Sequence, residues 1–76
     1  MMHDRGFLYT MIRKVGEIDP KTGDIEGFLD VLAENLAQGR REYTFLRRCR
    51  LCDVGVIKRR GHTELRYYLW CEPGRM

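Results

Sequence analysis

Residues 40–70 read RREYTFLRRCRLCDVGVIKRRGHTELRYYLW, and the fold depends on how they are read. The stretch holds nine of the 14 Lys and Arg residues and two of the three cysteines. As a helix, 40–52 gathers Phe45, Leu46, Cys49 and Cys52 in an arc of about 120°, with Arg41, Thr44, Arg47 and Arg48 largely opposite. As a strand, both faces mix apolar groups with arginine. The helix segregates the two classes more cleanly and is the preferred state; the strand is the alternative. Asp53-Val54-Gly55 then breaks the pattern. VIKRR and TELRYYLW follow as two strand-like runs about a glycine, which is a hairpin signal. In the second run Leu65, Tyr67 and Leu69 alternate with polar positions and form its core face. Pro73 and Gly74 end that strand.

Upstream, 24–38 (DIEGFLDVLAENLAQ) is an amphipathic helix. Asp24 caps it, Ile25, Phe28, Leu29, Leu32 and Leu36 make its apolar stripe, and Gly39 fits a left-handed C-terminal cap. Residues 16–23 form a loop through Pro20, in which Ile18 is the one apolar residue. In 4–15, Phe7, Leu8, Met11, Ile12 and Val15 recur at spacings of 1, 3, 1 and 3, one face of a helix with Asp4 as its cap. A strand reading instead puts Phe7, Tyr9, Met11 and Val15 on one side, and helix is preferred.

At 76 residues the chain is a single domain, 1–76, with tails at 1–3 and 72–76. It can bury only a small core. Charge is unevenly placed. Residues 1–38 carry four Lys/Arg against seven acids, and residues 39–76 carry ten against four. Such a step sets aside one face for a polyanion. No run reaches about 18 apolar residues, so no membrane span is expected. The start does not read as a secretory signal. Three cysteines, an odd number, argue against a closed disulfide framework and for a reducing, cytoplasmic home.

The order of these pieces resembles the winged helix-turn-helix family. Leu32-Ala33-Glu34 matches its second helix, Gly39 its turn, and 40–52 its recognition helix. Val54-Gly55-Val56-Ile57 matches the lead-in to the wing, 58–62 the wing tip, and Leu65 to Trp70 the returning strand. The loop before the second helix is long, and cysteine is unusual at positions 49 and 52. The resemblance implies an α+β fold of three helices and a C-terminal β-hairpin wing, with 7–15 as the first helix. The alternative is a β-α-β-β-β sheet with one helix packed on it. The resemblance also implies a small DNA-binding transcriptional regulator. Arg40, Arg41, Thr44, Arg47 and Arg48 would enter the major groove, and Lys58, Arg59, Arg60, His62 and Arg66 would contact the backbone from the wing. A homodimer through the N-terminal helix would enlarge the footprint.

Other readings compete. Cys49 and Cys52, spaced C-x2-C, could join His62 and Cys71 around zinc, but Gly74 stands where a second C-x2-C pair would end. Buried free thiols are the preferred reading of the cysteines and no cofactor is expected. Tyr67, Tyr68 and Trp70 beside basic residues could stack unpaired bases on a sheet face, but core and dimer packing is the preferred reading of them. The chain has no serine and no glycine-rich phosphate loop, and it is not read as an enzyme. A protein-interaction or inhibitory module docking its basic face on an acidic partner, and a zinc-ribbon subunit, are the alternatives to DNA binding.

Overall fold

The computed structural model describes residues 6–18 and 25–73. Asp4, Pro20, Asp24 and Gly74, assigned caps, a loop and a strand end above, lie outside the described residues, as does His3. Strand β1 spans Phe7–Val15, helix α1 Ile25–Glu42, strand β2 Cys49–Arg59 and strand β3 His62–Cys71. A 3-10 helix, Thr44–Arg48, joins α1 to β2. The sheet is antiparallel with order β1-β3-β2, so the last strand is central.

β3 dictates the layout. Thr63, Leu65, Tyr67, Leu69 and Cys71 are buried, while His62, Glu64, Arg66, Tyr68 and Trp70 keep partial exposure. A period of two with one face dry marks a strand whose sheet is covered on one side only. The cover is α1, through Phe28, Val31, Leu32 and Leu36, together with Leu46 of the 3-10 helix. Full burial of Leu46 contributes roughly 1.5–3 kcal/mol, and the partly buried side chains of α1 each contribute less. The Tyr67 hydroxyl donates to the Leu32 carbonyl at 2.9 Å, which satisfies a polar atom under the helix.

Residues 7–15 are a strand, not a first helix. All nine residues pair with β3, from Phe7↔Cys71 to Val15↔Thr63. β3 needs a partner on each edge, and β-branched and aromatic residues in this run favour the ladder over a helix. Among the described residues there are one α-helix and three strands, so these residues form no helix-turn-helix and no three-helix winged fold. The α+β class holds, but the helix packs on a three-stranded sheet rather than the four-stranded alternative.

The 40–52 segment is also not one recognition helix. α1 continues to Glu42, Tyr43 turns extended, and Leu46 plugs the core at zero exposure. From Cys49 the chain is strand, paired with β3 from Cys49↔Cys71 to Arg59↔His62, with a bulge between Leu51 and Asp53. Two expectations about α1 are corrected with it. Gly39 is not a cap: it lies buried inside the helix, where an added Cβ would run into the Met11 thioether and come within 3.2 Å of the Arg13 guanidinium. Ile25 and Leu29, placed in the apolar stripe, are each 54 % exposed. The hairpin turn is as expected: Arg60-Gly61 links the strands, and Gly61 takes the left-handed φ of 87° that suits glycine.

Cys49 and Cys71 form a disulfide that closes the open end of the β2–β3 hairpin. This corrects the reading of free buried thiols. Both cysteines are buried, whereas Cys52 is free and exposed in the bulge. Among the described residues no helix is long and apolar enough to cross a membrane.

Candidate nucleic-acid interface on the open sheet face

α1 and the 3-10 helix leave the other side of the sheet uncovered. Register fixes its occupants, because cross-strand partners share a face. Trp70 stands between Leu8 and Arg50, Tyr68 between Thr10 and Asp53, and Arg66 between Ile12 and Gly55. Next come Glu64, between Lys14 and Ile57, and then His62 beside Arg59. Two aromatic rings thus stand two residues apart on the central strand, with Lys14, Arg50, Arg59 and Arg66 on the same face.

Small residues set the rings. An added Cβ at Gly6 would meet the Trp70 indole at 2.9 Å and the Cys71 carbonyl oxygen, so the indole lies against bare backbone. At Gly55 a Cβ would stand 3.6 Å from the Tyr68 ring, which leans over β2. The acids on this face are partly neutralised. Glu64 accepts from Arg66 at 3.0 and 3.1 Å and lies 3.6 Å from Arg59. The Arg66 hydrogen bond, reinforced by the charges of Arg59 and Arg66, holds the Glu64 carboxyl below the usual range against the opposing effect of burial. Hydrogen bonds to Glu64 and then Tyr68 raise Arg66 further. The remaining acid, Asp53, caps its own bulge by accepting from the Val54 amide at 2.9 Å.

The residues expected to read DNA do not form one surface. Arg40 and Arg41 sit in the last turn of α1, with Arg40 partly buried and donating to the Cys49 carbonyl at 2.8 Å. Thr44, Arg47 and Arg48 lie exposed on the 3-10 helix. Lys58, Arg59 and Arg60 occupy the far hairpin tip, and His62 and Arg66 belong to the open face. The two ends of β3 are about 30 Å apart. Beside the tip, Glu17, Ile18, Lys58, Arg59, His62 and Thr63 line a cavity of about 270 Å³, where the Ile18 amide donates to Thr63 Oγ1 at 3.1 Å.

The zinc set does not assemble. Cys49 and Cys71 are bonded to each other, Cys52 sits in the bulge, and His62 lies at the opposite end of β3. Among the described residues no group of three His, Cys, Asp or Glu side chains could hold a metal. The first helix on which a dimer was expected is an edge strand.

Of the aromatic trio named from sequence, Tyr68 and Trp70 reach the open face and Tyr67 is core. Lys14 and Arg50 were missed. Extending the β3 alternation sideways would have found them, but only once 7–15 and 49–59 were known to be its neighbours. The geometry defines a class: an antiparallel β-α-β-β sheet with one helix-covered face and one open aromatic, basic face. Comparison with known proteins found no family model, no curated protein and no solved structure that matches the chain.

Proposed function

We propose that the protein binds nucleic acid, and that it does so by receiving unpaired bases on the open sheet face rather than by inserting a helix into a groove. The observation that carries this reading is the pair Tyr68 and Trp70 on the open side of the central strand, flanked by Arg50 and Arg66, with Lys14 farther along the same face. Every base offers a π-face to stack, and phosphates pair with the surrounding cations. α1 itself suits a groove poorly: Glu26, Asp30 and Glu34 are exposed along it, and its cations are confined to the last turn. The same reading puts the protein inside the cell. Burial of Cys49 and Cys71 would shield their bond from thiols there, since exchange requires access to a sulfur.

The test is fluorescence anisotropy with labelled single-stranded and duplex oligonucleotides, with the single tryptophan as an internal reporter. The expected result is preference for the single strand, quenching of Trp70, and affinity that falls with salt. Tyr68→Ala and Trp70→Ala should each weaken binding about 5- to 150-fold, the equivalent of one stacked base. Equal binding to single strand, duplex and heparin, unchanged by both substitutions, would reduce the surface to a general polyanion patch. A protein partner would then be the reading to pursue.

A further inference from the structure

The two edges of the sheet are built differently. β2 is interrupted by its bulge and carries Arg50, Asp53, Lys58 and Arg59 along its length. Bulges and charges are the usual means of blocking strand addition. β1 has neither over its first six residues: Phe7 to Ile12, FLYTMI, contains no charge, proline or glycine and no irregularity in register. Such a run is a template for another strand. Its first nearby charge, Arg13, is turned away and bonded to Glu42 of α1.

The backbone direction along that edge follows from the disulfide pair. The Cα atoms of Cys49 and Cys71 are 4.0 Å apart, the close spacing of a non-hydrogen-bonded antiparallel pair. Cys71 therefore points its amide and carbonyl away from β2, toward β1, in agreement with the contact of its carbonyl oxygen with Gly6. By alternation Phe7, Tyr9, Met11 and Arg13 bond to β3, whereas Leu8, Thr10, Ile12 and Lys14 present their amides and carbonyls outward. The same outward-bonding residues carry their side chains on the open face, and among them Leu8 is 58 % and Ile12 50 % exposed.

We propose that this edge pairs with its own copy, β1 against β1 in antiparallel fashion about a two-fold axis at Thr10. The sequence is self-complementary about that residue. Thr10 meets the second copy's Thr10, Leu8 meets Ile12 and Ile12 meets Leu8, so both exposed apolar side chains of the open face find an apolar partner, while on the covered side the half-exposed Phe7 stands opposite Arg13. A threonine pair and apolar pairs directly opposite each other are favourable cross-strand contacts. On the covered side Tyr9 meets Met11. Sliding the register by one pair of residues would set Leu8 against Lys14 instead. A two-fold contact of this kind closes on itself and stops at a dimer. The product is one six-stranded sheet whose open face carries two copies of Tyr68 and Trp70. The pairing does not depend on nucleic-acid binding, and its test does not involve it.

The test is sedimentation velocity on the full chain at concentrations up to about 0.1 mM, where a micromolar contact is saturated. Wild type is expected at twice the 9.1 kDa of one chain. Thr10→Pro removes one outward amide and no bond to β3, so it should leave the far-ultraviolet circular dichroism unchanged and give a monomer. In a Cys52→Ala background, Thr10→Cys should oxidise to a covalent dimer, whereas Lys14→Cys should not. A monomeric wild type overturns the proposal. So does a folded Thr10→Pro that remains a dimer, or failure of the Thr10→Cys chain to cross-link.

Discussion

Gly6 and Tyr67 show what single residues do here. Gly6 leaves β1 flush with the Trp70 indole and the Cys71 carbonyl, and one of those neighbours is backbone that cannot rotate away. Gly6→Ala should therefore cost about 1–3 kcal/mol in urea denaturation, the usual penalty of overpacking, and shift the tryptophan emission. Tyr67 is the largest fully buried side chain among the described residues. Burial pushes its phenol up from 10.0 to about 12, against the smaller opposing pull of Arg13. The folded state thus holds the proton more tightly than the unfolded state. Its contribution is complete below pH 10 and is lost as pH rises from 10 to 12, on the order of 2 kcal/mol. Tyr67→Phe should lose about 1 kcal/mol at neutral pH with the Leu32 hydrogen bond. It should also flatten the stability profile across that alkaline window, as urea midpoints at successive pH values would reveal.

At the scale of elements, the disulfide and the bulge decide how β2 is held. Cys49–Cys71 ties two strands at the end of a 22-residue separation. Closing a loop of that length restrains the unfolded chain by about 3 kcal/mol. Reduction, or paired Cys49→Ala and Cys71→Ala substitution, should lower the unfolding free energy by that amount; an unchanged urea midpoint under reductant would refute it. The same elements explain which parts of the sequence were readable. α1 and the hairpin turn each follow one uninterrupted period, so both were found. β1 misled because it is an edge: Phe7, Leu8 and Ile12 are all half exposed, so its apolar residues do not alternate and their spacing imitates a helix. In 40–52 three states follow one another, and the bulge at Leu51/Asp53 shifts the period of two just where a strand would have shown itself. The disulfide was hidden by the odd cysteine, Cys52. The open face was only partly legible: Tyr67, Tyr68 and Trp70 were named together and read first as core and dimer packing, and Lys14 and Arg50 required knowing which strands flank β3.

Across the whole molecule, the charge step in the sequence becomes a spatial one. Exposed acids lie along α1, while the open face carries Arg50 at one end of β3 and the cations of the hairpin tip at the other. Tyr68, Trp70 and Arg66 lie between these ends on the same strand. A single strand laid along β3 would therefore meet cations first, stacking rings next and cations again. This predicts how salt dependence divides. Each phosphate deprived of its cation lowers the slope of log affinity against log salt by about 0.7 on single strands. Arg50→Gln should lower it by up to about 0.7, and Arg59→Gln with Arg60→Gln by up to about 1.4. The ends are separated by about 30 Å, beyond the screening length of about 8–10 Å, so the two effects should add. Tyr68→Ala should weaken affinity at every salt concentration and leave the slope alone, because stacking releases no counterion. Anisotropy titrations from low to physiological salt separate these cases. If either of these changes leaves the slope unaltered, the strand does not reach that end. If Tyr68→Ala changes the slope, the ring is not stacking and Arg66, its hydrogen-bond partner, is the group being disturbed.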